Sequence, residues 1–188
     1  MMKKFLILTL ALILAISAFS CKKTEDNEDD GGFYSDLDIS EIESDSLGIE
    51  ISVPENWQVS HSDYLGTEVR HYTAPPSDNR DAFLESISIT TEEKTGTVEE
   101  YITANLKNLE AFYADFKTVE ERQSLEASGL PAEKLTYSYS MGTFNVVCAQ
   151  YFVFDGDKVY IVLCTSDKDD FEEYKDIFAS SFETFKIN

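Results

Sequence analysis

Basic residues are scarce in this sequence. Its 188 residues include 15 lysines and arginines against 36 aspartates and glutamates, which gives a formal net charge of -21 at pH 7. Nucleic-acid-binding domains neutralise phosphates with a basic surface, so this deficit argues against nucleic acid as a partner. It argues equally against docking of the folded surface on anionic lipid headgroups, because those headgroups attract basic segments.

The signatures of several enzyme classes are also missing. The sequence contains no Gly-x-Ser-x-Gly turn for a serine nucleophile and no glycine-rich phosphate-binding loop. Carboxylates are so numerous that no pair of them stands out as a glycosidase dyad. We therefore predict a protein that is not an enzyme and that uses no cofactor.

Apolar residues, by contrast, are plentiful. They make up 43% of the chain, and aromatic residues make up 13%. A chain of this composition can bury a core, and its length corresponds to one domain after an N-terminal leader.

Residues 1–20 have the pattern of a secretory signal peptide. Lys3 and Lys4 precede an apolar run over 5–16 that is shorter than a transmembrane helix needs. Cys21 directly follows a small residue, and this arrangement resembles a bacterial lipobox. The resemblance implies cleavage before Cys21 and attachment of fatty acyl chains, such as palmitate, to it. The alternative is an ordinary secretion signal followed by an unrelated cysteine.

Residues 21–46 are predicted to form an acidic, flexible tether. After Cys21, this segment holds ten acidic residues and two lysines. Lys22 follows the cysteine, so the aspartate-based signal for inner-membrane retention is not seen. We therefore expect a lipid-anchored protein of the cell envelope that faces the periplasm or the exterior, at the outer membrane in a Gram-negative cell.

Residues 47–188 are predicted to form a single globular α+β domain, with helices flanking a mostly antiparallel sheet. Thr97 and Glu100 form a capping box that begins a first helix, and apolar residues at helical spacing predict a second helix that starts near residues 167–170. The segments 144–154 and 158–164 are apolar on both sides, which places them centrally in the sheet. The polar segment 118–125 is predicted to lie near an edge.

Several short motifs of this domain resemble a PsbP-like or DcrB-like domain. The resemblance is carried by the strand and turn over 51–57, the turn over 129–132, the hairpin over 151–162 and the closing helix with Ser180-Ser181-Phe182. It implies a sheet sandwiched between helices and a non-enzymatic role in binding or assembly. The family contributes no catalytic residues.

The competing hypothesis is a metal-dependent or hydrolytic envelope enzyme. It would use His61 and His71, the only two histidines, which lie on consecutive predicted strands. Asp63 or Glu68 would complete the site, because a transition metal needs three or four ligands. Two imidazoles at the surface or at a sheet edge are the simpler interpretation.

Cys148 and Cys164 lie on the two arms of the predicted central hairpin. A three-residue loop over 155–157 would place them directly opposite each other, where a disulfide could form. A two- or four-residue loop would separate them, and both would then be small buried hydrophobic residues.

The function expected from these observations is a lipid-anchored binding or assembly module. Its partner, a protein or a small molecule, would meet a groove between the sheet and a helix or the edge of the sheet. Tyr137, Tyr139 and Tyr151 are candidate contacts, although aromatic residues on strands are more often part of the core. The sequence does not identify the ligand-binding residues.

Overall fold

The computed structural model describes residues 47–64, 66–78, 81–113 and 115–188. The predicted leader, Cys21 and the tether lie outside the described residues. The described strands are β1 (Ile49–Glu50), β2 (Gln58–Tyr64), β3 (Thr67–Thr73), β4 (Ser86–Glu93), β5 (Lys117–Ala127), β6 (Leu130–Met141), β7 (Phe144–Asp155), β8 (Lys158–Asp167) and β9 (Lys186–Ile187), and the helices are α1 (Val98–Phe112) and α2 (Phe171–Glu183).

Seven of these strands form one antiparallel sheet in the order β2-β3-β4-β8-β7-β6-β5. The short strands β1 and β9 pair with each other and bring the two ends of the domain together. The most apolar strands, β7 and β8, lie inside the sheet, whereas the polar strand β5 lies at its edge. Both predicted positions are confirmed, because a central strand is covered on two faces and an edge strand is not.

The two helices cover opposite faces of the sheet. Phe178 of α2 packs among the side chains of one face, and Leu109 of α1 packs among those of the other. These faces are called the α2 face and the α1 face below. The arrangement confirms the predicted α+β sandwich, since successive residues of each strand point to opposite sides. Neither helix of the described chain has the length and apolar character that crossing a bilayer requires.

Helix α1 begins at the predicted capping box. The Thr97 hydroxyl accepts a hydrogen bond from the Glu100 backbone N–H at 3.2 Å, and the Thr97 N–H donates to the Glu100 carboxylate at 2.9 Å. These two bonds satisfy donors that an isolated helix end leaves unpaired. Helix α2 differs, because its N-cap residue Asp170 makes no side-chain capping bond.

The hairpin between β7 and β8 has a shorter loop than the three-residue loop that a disulfide would require. Asp155 pairs with Lys158, so only Gly156 and Asp157 lie in the loop. Gly156 has a φ of 60°. A two-residue hairpin favours glycine at its first position because this backbone conformation is strained for other residues.

This two-residue loop separates the two cysteines. Cys148 pairs with Thr165, and Cys164 pairs with Ala149, so the thiols point to opposite faces of the sheet. Both cysteines are free and buried. The possible disulfide between Cys148 and Cys164 is therefore a wrong prediction. A shift of one residue in register moves a side chain to the other face of the sheet.

Candidate functional site

The two histidines do not meet. Ser60 pairs with His71, and His61 pairs with Arg70, so the two imidazoles lie on opposite faces of the sheet. The His61 Nδ1 lies 3.9 Å from the Glu68 carboxylate. The two imidazoles therefore do not approach a common position at which they could bind one metal ion. Among the described residues, no three side chains of the types His, Cys, Asp and Glu are placed to hold a metal ion together.

Instead, the structure collects buried polar side chains on the α1 face. Cross-strand pairing places them in two adjacent rows that run across the sheet, with Tyr139 two residues beyond one row. We call this group the polar band. Its members are His71, Ser86, Ser88, Tyr137, Tyr139, Cys148, Gln150 and Thr165.

Some members of the polar band pair with one another. The Tyr137 hydroxyl donates to the Gln150 side-chain oxygen at 2.9 Å. The His71 Nδ1 lies 2.7 Å from the Ser88 hydroxyl, and the Cys148 thiol faces the Thr165 hydroxyl at 3.9 Å. Paired in this way, polar groups can lie in a core without the full cost of losing water.

Two atoms of the polar band have no such partner. They are the Ser86 Oγ and the Gln150 Nε2, and both are buried. Their residues are at most 1% exposed. The Tyr139 hydroxyl, in contrast, interacts with the Cys148 thiol and the Tyr113 hydroxyl. Either orientation of the Gln150 amide leaves one end free, because the single Tyr137 hydroxyl engages only the other end.

Burial keeps the titratable members of the band neutral. It raises the pKa of the Cys148 thiol to about 12 and raises the pKa of the Tyr137 and Tyr139 hydroxyls further above their usual range. It lowers the pKa of His71. A thiolate nucleophile is therefore scarce at neutral pH, and the band offers neutral hydrogen-bond donors and acceptors.

Aromatic rings connect the band with the C-terminal end of α1. Tyr113 stacks on Tyr139 with ring centroids 3.8 Å apart, and Phe116 packs against Tyr137 at 5.4 Å. Phe112, beside Tyr113, is 54% exposed. These rings form a path of contacts from the surface to Tyr139.

A partly buried acid lies at the other end of α1. Glu92, near the end of β4, accepts a hydrogen bond from the Tyr101 hydroxyl. The ring of Tyr101 packs edge-on against Phe152 and Phe154 at 5.8 and 5.7 Å. Burial raises the pKa of Glu92 to about 7.

The predicted tyrosine contacts divide between the two faces. Tyr137 and Tyr139 belong to the polar band, whereas Tyr151 stacks on Phe182 at 4.0 Å on the α2 face. All three are buried, so they do not line one open groove. Sequence reasoning missed Ser86, Gln150 and Thr165 as members of the site.

A signal for one of these missed residues was present in the sequence. Gln150 interrupts an otherwise apolar run over 146–154. A glutamine in the middle of a buried strand needs hydrogen-bond partners, and this need distinguishes it from its neighbours. Ser86 and Thr165 carried no such signal, because serine and threonine are also common on exposed strand faces.

The protein is similar to known families in both sequence and fold. The family described as the serine/threonine kinase C-terminal domain matches residues 41–187. The chain belongs to this family. No curated protein sequence shows a significant match to this member of the kinase C-terminal domain family.

Three solved structures share the fold of this chain. LpqN of Mycobacterium tuberculosis, involved in cell envelope biogenesis, has a TM-score of 0.59 at 19% identity, over 74% of this chain and 83% of LpqN. PA94 of Pseudomonas aeruginosa, a protein of unknown function described as a putative regulator, has 0.55 at 19%, over 72% and 94%. Cyanobacterial PsbP (CyanoP) of Synechocystis sp. PCC 6803 has 0.56 at 14%, over 77% and 90%. The fold is therefore PsbP-like.

Proposed function

We propose that this protein is a lipid-anchored extracytoplasmic binding or assembly module without catalytic activity. One observation carries the proposal, namely that the domain buries Cys148, Cys164 and His71. Cys148 and Cys164 are 0% exposed, and His71 is 6% exposed. The folded body therefore presents these groups as neutral elements of the core, where a substrate at the surface does not reach them.

The same observation supports Cys21 as the site of lipid attachment. The sequence holds three cysteines, and two of them are enclosed in the fold on opposite faces of the sheet. Cys21 is the third, and it follows the leader over 1–20. Two or more acyl chains hold a protein stably at a membrane, so the anchor supplies the membrane contact and leaves the domain facing water.

The comparisons favour a binding role in the envelope. LpqN is involved in cell envelope biogenesis, and CyanoP is a PsbP protein. The family takes its description from the C-terminal domain of serine/threonine kinases. The same fold thus occurs in proteins that differ in function. Function depends on the site and not on the fold, so this fold can carry a binding surface.

The charge of the domain restricts its partners. Residues 47–188 carry 26 acidic and 11 basic residues. A strong negative potential raises the encounter rate with cationic partners and slows that with anionic ones. We therefore propose a neutral or cationic protein or small molecule as the partner.

The anchor is tested by the variant Cys21→Ser in cells labelled with a palmitate analogue. We expect the variant to lose the label and to leave the membrane fraction. Cys148→Ser is the matched control, since it removes one cysteine from the core and should retain both the label and the location. Retention of Cys21→Ser in the membrane fraction would contradict the proposal.

The binding role is tested by crosslinking in intact cells, followed by mass spectrometry of the material that co-purifies with the chain. A specific partner that depends on the folded domain supports the proposal. Turnover of a substrate by the purified domain would refute its non-catalytic part.

A further inference from the structure

The seven-stranded sheet ends in two edge strands, β2 and β5. A strand at an edge presents unpaired backbone N–H and C=O groups, and proteins commonly block such edges with bulges and charged side chains. Strand β5 is blocked in this way. Its register with β6 shifts twice, between Thr118 and Glu120 and between Glu120 and Gln123. Lysine, arginine and glutamate make up five of its 11 residues.

Strand β2 carries none of these protections. All of its residues, Gln58–Tyr64, pair with β3 in one unbroken register, and no proline, lysine or arginine lies among them. Among the strands of the described chain, β3 is the only partner of β2. Val59 is 53% exposed near its start. A regular strand edge of this kind can accept a further strand through backbone hydrogen bonds.

We propose that β2 is a self-association edge, at which two copies of this chain pair their β2 strands antiparallel around a two-fold axis at Ser60. The two sheets then continue into one another across the contact. This inference goes beyond the proposed binding role, because the partner it names is the chain itself.

The distribution of charge selects a second copy as the occupant of this edge. Residues 58–62 include no acidic residue and no lysine or arginine, although residues 47–188 carry 26 acidic and 11 basic residues. Two strongly acidic domains repel each other least where their uncharged surfaces meet. A cationic peptide, in contrast, would find no carboxylate on these five residues.

The same uncharged stretch determines the register. It is centred on Ser60, so two-fold antiparallel pairing about this residue sets Ser60 opposite its own copy and Val59 opposite His61 of the second copy. Paired residues are then an even number of positions apart, so both lie on the same face of the joined sheet. Pairing centred on His61 would instead set Val59 opposite the charged Asp63.

The size of the contact predicts a weak dimer. A single pair of strands buries much less surface than the roughly 1,200–2,000 Å² of a stable protein interface. Confinement by a lipid anchor raises the local concentration of the chain, which favours such a weak pairing at a membrane over the same pairing in dilute solution. In this biological use alone, the inference relies on the proposed anchor.

Disulfide trapping tests the pairing directly. The Cys21→Ser chain serves as the parent because it carries no lipid, and its remaining cysteines, Cys148 and Cys164, are buried and should not react. In this parent, Ser60→Cys sets two thiols opposite each other at a spacing that a disulfide can bridge. Under mild oxidation, we expect its covalent dimer to form about tenfold faster than that of Ser62→Cys.

Ser62→Cys is the matched control, because Ser62 points to the same face from the same strand but lies opposite Gln58 of the second copy. Its two thiols are separated by four residues along the ladder, about 13 Å, which a disulfide does not span. Equal rates of dimer formation for the two variants would overturn the proposal.

Sedimentation velocity over a range of protein concentrations provides a second measurement without an introduced thiol. Val59→Lys places a charge on the β2 edge, and we expect it to remove the concentration-dependent dimer of the parent. Val119→Lys should dimerise like the parent, because Val119 is similarly exposed, at 49%, but lies on β5. Both variants change the net charge equally. Loss of the dimer in both, or a parent that is monomeric at every concentration, would contradict the proposal.

Amide hydrogen exchange identifies any other occupant of the edge. Protection of the β2 amides that do not bond to β3 should rise with protein concentration if two copies pair. Protection that is independent of concentration would show that the chain covers its own edge, and the proposal would then be wrong. None of these outcomes involves the palmitate label, so failure here is distinct from failure of the anchor.

Discussion

The two faces of the sheet are built from different chemistry although the same strands supply both. On the α2 face, Ile87 and Ile89 pack with Val162 and with the aromatic residues of α2. On the α1 face, the alternate residues of the same strand, Ser86 and Ser88, belong to the polar band. The α2 face thus combines its apolar cluster with a few buried polar side chains, among them Arg70, Thr136 and Ser166, whereas the polar groups of the α1 face lie together in the polar band.

This difference teaches where stability and recognition reside. An apolar layer stabilises the fold in proportion to the area it buries and needs no directional partner. Buried polar groups are favourable only when each one has a hydrogen-bond partner. They therefore specify one arrangement of the core and make stability sensitive to the loss of any partner. We therefore expect truncations in the apolar cluster of the α2 face to change mainly stability, and substitution of Glu92 beside α1 to change the dependence of stability on pH.

The largest expected effect breaks the apolar face. Phe178 is 0% exposed at the centre of α2, so Phe178→Ala leaves a cavity and should lower the free energy of unfolding by about 3–5 kcal/mol. Urea denaturation followed by circular dichroism measures this loss. Phe112→Ala is the control on α1, because Phe112 is 54% exposed and its truncation should change stability by only about 0.5 kcal/mol. Similar losses for both variants would contradict the assignment of the two positions.

The second prediction concerns the pH dependence of the α1 side. The pKa of Glu92 is raised by burial from 4.5 to about 7, so the folded state keeps a proton that the unfolded state has lost in this interval. Stability should therefore decrease as the pH rises from 4.5 to about 7. Glu92→Gln removes this cost, and we expect it to stabilise the protein by up to about 3 kcal/mol at about pH 8.

The measurement for Glu92 is a series of urea unfolding curves between about pH 4 and pH 8. The wild type and Glu92→Gln should have similar stability at the acidic end and diverge above it. Glu93→Gln is the matched control, because Glu93 is exposed and should leave the pH profile of the wild type intact. A constant difference between wild type and Glu92→Gln over the whole range would refute the role of burial.

The smallest effect sharpens the comparison through the two cysteines. Cys164 belongs to the apolar cluster of the α2 face, so Cys164→Ser buries a hydroxyl among apolar side chains and should cost about 2 kcal/mol. Cys148 faces the Thr165 hydroxyl at 3.9 Å, so Cys148→Ser retains a partner and should cost less than about 1 kcal/mol. Thermal unfolding of both variants measures the difference. A larger loss for Cys148→Ser would show that the α1 face does not tolerate polar groups better.

The sequence was informative wherever a local pattern had only one structural solution. The Thr97–Glu100 capping box and the apolar spacing behind it located α1. The apolar character of β7 and β8 placed these strands inside the sheet, and the polar character of β5 placed it at the edge. Each of these features depends on neighbouring residues or on simple burial, which a single sequence displays.

The sequence was misleading where one residue of register decided the outcome. The loop around Gly156 could close in two, three or four residues, and this choice determined whether Cys148 and Cys164 met. Such errors arise because strand periodicity is two, so a small change in the starting point inverts the face.

The sequence by itself determined the charge of this protein, its α+β class, the start of α1 and the central position of β7 and β8. These properties follow from composition and from short-range periodicity. Only the tertiary structure decided that His61 and His71 point apart and that Ser86, Tyr139 and Gln150 share one face. The reason is physical, because residues distant in the chain become neighbours through the order and register of strands, and neither is encoded at any single position.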